Sequence, residues 1–104
     1  MSNSEIELKE KIKTKIAEPS LWKVVLLNDD VTPVDFVEDI LVDIFKHSME
    51  SAIDITMLVH NTGSGLAGTY TFEIAEAKAV EATSYARKNN FPLQIKLEED
   101  LKWV

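Results

Sequence analysis

Between residues 21 and 45 the chain switches its hydrophobic period once, and that switch restricts the folds open to it. The segment LWKVVLL, 21–27, is a dense run of Trp, Val and Leu suited to a buried or half-buried strand. Asn28-Asp29-Asp30 interrupts it. Thr32-Pro33-Val34-Asp35 then reads as a helix start, with Thr32 as N-cap, Pro33 in the first helical position and Asp35 in the third. Beyond it Phe36, Val37, Ile40, Leu41, Ile44 and Phe45 recur at helical spacing. They make a face too wide to leave in water, so this helix sits on a core.

The remaining punctuation is as regular. Ser48 is placed to cap a second helix running to about Asn61 and stopping near Gly63. On it Ala52, Ile55, Thr56 and Val59 share one face, while Ile53, Met57 and His60 lie on an adjacent one. NTGSG, 61–65, reads as a loop, and LAGTYTF, 66–72, as a short strand interrupted by Gly68. Thr71 is a plausible cap for a third helix over 72–89, whose alanines allow close approach to a neighbour. Asn89-Asn90-Phe91-Pro92 ends it, and LQIKLE, 93–98, alternates as a strand with one buried face should. The order is β-α-α-β-α-β. It predicts a single small α+β domain, a three-stranded antiparallel sheet packed against three helices. Residues 1–20 lack aromatics, mix Glu with Lys and end in Pro19-Ser20, which predicts a flexible N-terminal extension ahead of a core domain over 21–104.

Composition narrows the function classes. With 18 acidic against 11 basic residues the formal charge is −7, which repels phosphates and argues against general binding to nucleic acid or anionic membrane. The absence of cysteine excludes disulfides, thiolate metal sites and Cys nucleophiles. No apolar run is long enough for a bilayer, and the N-terminus has neither a signal-peptide core nor the composition of a transit peptide. A cytoplasmic protein is expected.

Three features could carry chemistry. Asn28-Asp29-Asp30 can be turn chemistry, since Asn and Asp side chains bond nearby amides and acids suit a helix N-terminus, or it can be part of a site. His60 falls in the last turns of the second helix, where a cation meets the negative helix end. His47, at the end of the first helix, reads as structural. A metal site from Asp29, Asp30 and His60 matches no ligand spacing, and no P-loop, GxSxG or HExxH motif is present, so neither a metal, a cofactor nor catalysis is expected. Together, an amide, two acids and a His beside apolar positions suit a ligand that is cationic at one end and bulky beyond it. A peptide's free α-amino group followed by a large first side chain is such a ligand.

The blocks WKVVLLNDDVTPVDFVEDIL, TMLVHNTGSGLAGTYTFEIAEAKA and YARKNNFPLQIKLEED, in that order over residues 22–100, resemble the ClpS family of Clp protease adaptors. The resemblance implies a non-enzymatic adaptor. Such proteins bind substrates with bulky destabilising N-terminal residues (Leu, Phe, Tyr, Trp) and deliver them to the N-terminal domain of a ClpA-type AAA+ unfoldase, which feeds ClpP. Carried onto this chain, it assigns the α-amino group to Asn28 and His60, with Asp29 and Asp30 nearby. The first side chain would enter a pocket lined by Thr32, Val34, Val37, Thr56, Val59, His60 and Leu93. Glu73 and Lys78 would dock the unfoldase, the N-terminal extension would engage it during handover, and a monomer is expected. Two positions depart from the family pattern: Val34, at the rim, and Thr56, on the second helix, stand where methionines are usual, and Thr56, shorter and bearing a hydroxyl, implies a deeper or more polar pocket. A non-catalytic interaction domain of the ribosomal-stalk type has a similar fold, but it has no use for the pairing of Asn-Asp-Asp with His60.

Overall fold

The structure, a computed structural model, describes residues 20–101. The expected N-terminal extension (all but Ser20) and Trp103 lie outside the described residues. Strand β1 (Leu21–Leu27) is followed by helices α1 (Val34–Asp43) and α2 (Met49–Thr62), strand β2 (Ser64–Thr71), helix α3 (Phe72–Lys88) and strand β3 (Gln94–Asp100). The expected β-α-α-β-α-β order and three-stranded antiparallel sheet are both present, with β1 central in the order β2-β1-β3.

The alternation along β1 divides the two faces of the sheet. Val24 and Leu26 are fully buried and, with half-buried Trp22, face the helices, as do Ile95 and Leu97 from β3. Val37, Ile40 and Leu41 join the same core from α1, and Ile44 and Phe45 join it from the turn just beyond that helix. From α2 it takes Ala52 and Val59, and from α3 Ala75, Ala82 and Ala86. Small alanines at the contact let α3 lie close to the sheet, as the sequence suggested. Phe36 ties the far end of this layer together: it stacks on Tyr85 of α3 at 5.1 Å and meets Phe91 edge-on at 4.7 Å between ring centres.

Several boundaries differ from the sequence reading, and α1 ends at Asp43, before Ile44 and Phe45. Helix α1 starts at Val34 with Pro33, not Thr32, in the cap position. Thr32 is drawn into the preceding turn instead, and Asp35 Oδ1 accepts from the Phe36 amide rather than answering the cap. The expected loop 61–65 shrinks to one residue: α2 runs to Thr62, Gly63 caps it at φ 95°, and β2 begins at Ser64. Phe72 opens α3 rather than closing β2, and there it packs edge-on against Trp22 at 5.0 Å. Strand β3 starts one residue later than expected and continues to Asp100. Ser48 caps α2 as expected, its hydroxyl accepting from the Ser51 amide at 3.1 Å. Gly68 marks an irregularity in the β1–β2 register, where Val24 pairs with Gly68 and Val25 with Leu66, leaving Ala67 as the extra residue.

The extra residue explains His47. Its Nε2 bonds the carbonyl oxygen of Ala67, which the bulge frees from the ladder, and its Nδ1 bonds Ser51 Oγ at 3.1 Å. His47 thus ties the α1–α2 connection to β2, the structural role its position suggested.

Candidate functional site

The end of β1 and the end of α2 meet through a single backbone bond. Gly63 adopts the left-handed conformation that only glycine enters freely, and its amide closes the helix on Val59 O at 2.9 Å. Its carbonyl, turned outward by the same conformation, accepts from the Asn28 amide at 2.9 Å. Asn28 is thereby held against the turn that carries His60. Both side chains are exposed, and among the described residues neither makes an internal hydrogen bond.

Asp29 behaves differently from its neighbours. Its Oδ1 accepts from the Val31 and Thr32 amides at 2.8 and 2.7 Å, and its Oδ2 accepts from the Thr32 hydroxyl at 2.8 Å. Burial alone pushes its pKa up. The Thr32 amide and hydroxyl, the Val31 amide and the charge of Arg87 outweigh burial, so the carboxyl lies below the ordinary value of 3.8. Asp29 is therefore a charged turn-former, with most of its acceptor capacity used inside the turn. Asp30 is exposed and makes no such bonds. Turn chemistry and candidate site thus divide between adjacent residues, Asp29 taking the first and Asn28 the second.

The expected pocket residues grade from surface to core. Val34 is 49% exposed and Thr32 half-buried, both at the entry to α1, whereas Val37, Thr56, Val59 and Leu93 are 6%, 4%, 4% and 1% exposed. Val37, Val59 and Leu93 belong to one contiguous buried cluster. Thr56 is on the same buried face of α2, one turn before His60, and its hydroxyl has no hydrogen-bond partner. Two residues that sequence reasoning passed over hold this arrangement. Gly65 is one: a Cβ there would come within 2.7 Å of Val59 Cγ2 and 3.3 Å of Ile55 O, so its absence lets α2 lie directly on β2. Arg87 is the other, donating from Nη1 to Phe91 O and Leu93 O, each at 2.8 Å, and so fixing the approach to Leu93. Its place in the last turn of a helix just before Asn-Asn-Phe-Pro was the available signal.

Glu73 and Lys78 do not converge with this group. Glu73 is exposed in the first turn of α3, beyond Thr71. Asn28 is at the other end of the sheet, next to Ser64, so the two are separated by roughly the eight-residue length of β2, about 25 Å. Lys78 is half-buried: its Nζ donates to Ile44 O at 2.8 Å and lies 5.4 Å from the centre of the Tyr70 ring. A groove of about 470 Å³ lies along the sheet, bordered by Lys23, Val25, Leu66 and Lys96 and by Leu58 of α2 among others, and none of the expected site residues lines it. Among the described residues no group of His, Asp and Glu is placed to hold a metal ion, and no helix is long and apolar enough to cross a membrane.

The model of the family described as ATP-dependent Clp protease adaptor protein ClpS matches residues 17–96. The chain belongs to the ClpS family. ClpS proteins are adaptors, not enzymes. The ClpS of Campylobacter jejuni (strain 81-176) is 48% identical over 88 residues, covering 85% of this chain and 92% of that protein. The ClpS of Sodalis glossinidius is 43% identical over 90 residues, covering 86% and 85%. Among solved structures, ClpS2 of Agrobacterium tumefaciens bound to L-phenylalaninamide superposes with a TM-score of 0.77 at 39% identity, over 79% of this chain and 99% of that one. The chain is therefore an adaptor of the Clp protease system.

Proposed function

We propose that this ClpS protein binds proteins by their N-terminus, through a free α-amino group and a bulky hydrophobic first side chain, and delivers them to a ClpA-type AAA+ unfoldase for degradation by ClpP. The observation that carries the reading is the Asn28–Gly63 bond. It sets an unspent amide side chain against the last turn of α2, which carries His60 on the helix whose buried face includes Thr56 and Val59. The ligand of the Agrobacterium relative, phenylalaninamide, supports it: that molecule is a free amine on a large apolar side chain, with its carboxyl masked as it is in a peptide.

The division of labour follows from the donors and acceptors. An ammonium group offers three N–H donors, which the Asn28 amide oxygen, a neutral His60 imidazole nitrogen and an Asp30 carboxylate oxygen can accept. Asp29 contributes its charge and the shape of the turn. Such charge-assisted bonds are about twice as strong as neutral ones. The apolar walls then select bulk, full burial of a Leu or Phe side chain being worth about 1.5–3 kcal/mol. Val34 and Thr32 form the rim in this reading, and Thr56 and Leu93 the floor. Residues 1–20 serve as an extension engaged in handover, 21–104 as the adaptor core, and the protein acts as a cytoplasmic monomer. Glu73 presents the unfoldase-docking surface at the opposite end of the sheet, so substrate and unfoldase do not compete for one face. Lys78 supports that surface from below through Ile44 O.

Fluorescence anisotropy with a labelled peptide beginning in Leu or Phe tests the site. Binding should vanish on N-terminal acetylation and on replacement of the first residue by Gly. His60→Ala should weaken binding while the circular dichroism spectrum stays unchanged. Equal binding of free and acetylated peptides would remove the amine site. For the docking surface, Glu73→Ala should weaken association with the unfoldase's N-terminal domain and leave peptide affinity alone.

A further inference from the structure

The unpartnered hydroxyl of Thr56 is the one buried side-chain polar atom among the described residues that lacks a hydrogen bond. A threonine inside a helix ordinarily disposes of its hydroxyl by giving it to the carbonyl one turn back. Thr62, on the same helix, does so, donating to Leu58 O at 2.7 Å. Thr56 does not, although it is only 4% exposed. Valine would fill the same volume without a polar atom to desolvate, so a hydroxyl at this place costs stability unless something completes its bonding.

Its position indicates what that is. Thr56 precedes His60 by one turn on α2, about 6 Å along the axis, and shares its buried face with Val59, which packs in one cluster with Val37 and Leu93. A first side chain that entered from an amine held at His60 would point its tip toward this hydroxyl. Leu and Phe carry nothing there that could pair with it. Tyr and Trp are rings with one polar atom, an O–H or an N–H, that seeks a partner when buried.

We propose that the Thr56 hydroxyl is a specificity determinant that pairs with the polar tip of the first side chain and ranks N-terminal Tyr and Trp above Phe and Leu. This rests on the amine-and-side-chain reading above. One neutral hydrogen bond formed in a dry pocket gives about a five-fold preference.

Competition anisotropy with the full chain tests it, using peptides identical beyond residue one in two pairs that differ only by the polar atom: Tyr against Phe, and Trp against naphthylalanine. The wild type should prefer the polar member of at least one pair about five-fold. Thr56→Val should erase that preference, read as the ratio of affinities within each pair whatever happens to their absolute values, and Thr56→Ser, which restores a hydroxyl, should bring it back. A wild type that distinguishes neither pair overturns the proposal without need of any variant, and so does a preference that survives Thr56→Val. Failure of the underlying reading looks different: no peptide, whatever its first residue, would bind better free than acetylated.

Discussion

Asp29 and Thr32 show how one side chain can take over another's task. Thr32 is a good helix cap by sequence, yet Asp29 claims both its amide and its hydroxyl, and the cap position passes to Pro33. Asp29→Ala should therefore cost about 1–2 kcal/mol by denaturant titration, as the loss of a helix-entry acceptor does, although Asp29 is outside the helix. Asp29→Asn keeps an acceptor for the two amides and should cost less. Because the folded-state pKa of Asp29 is lowered, its ionised form contributes stability fully above the unfolded value, and that contribution fades as pH falls through the folded value. The gap between wild type and Asp29→Asn should thus be steady near neutrality and close below about pH 4. A gap that widened in acid would contradict the lowered pKa. None of this bonding was legible in the residue types, since Asn-Asp-Asp allows many turn networks. The unpartnered Thr56 hydroxyl was equally hidden: periodicity puts Thr56 on a buried face, but whether its oxygen is paired depends on which groups the tertiary fold brings near it.

At the scale of elements the sequence was read well where a period or a cap was at stake and poorly where glycine served two purposes. The wide face of α1, the Ser48 cap and the alternation of β3 each follow from a local rule, and each is present. Gly63-Ser64-Gly65 looked like loop because both glycines suit loops. Gly63 is the helix stop, whereas Gly65 lies within β2 and is required by close approach of α2. Their alanine variants should fail differently. At Gly63 a Cβ meets nothing within 4 Å, so Gly63→Ala pays only for the left-handed backbone, about 1–2 kcal/mol, with α2 in place. At Gly65 the added carbon collides with Val59 and the Ile55 carbonyl, so α2 must shift from β2, at about 1–3 kcal/mol. That shift also moves His60 and Thr56. Gly65→Ala should therefore lose peptide affinity at temperatures where circular dichroism still reports a folded domain, and Gly63→Ala should lose less. Equal losses of affinity at matched stability would show that α2 placement is not what the site depends on.

Across the whole molecule, the candidate site draws on both halves of the chain: Asn28 and Asp29 follow the central strand, His60 and Thr56 come from α2, and Leu93 precedes the last strand. The sheet explains why these separate segments meet, because β1 pairs with both β2 and β3 and its last residue, Leu27, lies between Ser64 and Gln94. Arg87 adds a second link across the same junction. Its guanidinium holds Phe91 O and Leu93 O, and its charge reaches Asp29. Arg87→Met keeps the length of the side chain and removes its donors and charge. Loss of two charge-assisted bonds to carbonyls, one of them exposed, should lower stability by about 1–2 kcal/mol in denaturant titration. The same substitution should raise the titration midpoint of the Asp29 carboxyl, followed by carboxyl carbon NMR. It should not raise it all the way to the ordinary 3.8, because the Thr32 and Val31 bonds persist. The two readouts separate two roles that one side chain combines. A drop in stability with an unmoved Asp29 would make Arg87 a clamp on the 89–93 segment alone, whereas movement of both makes it the link through which the C-terminal strand's approach and the acidic turn are held in one geometry.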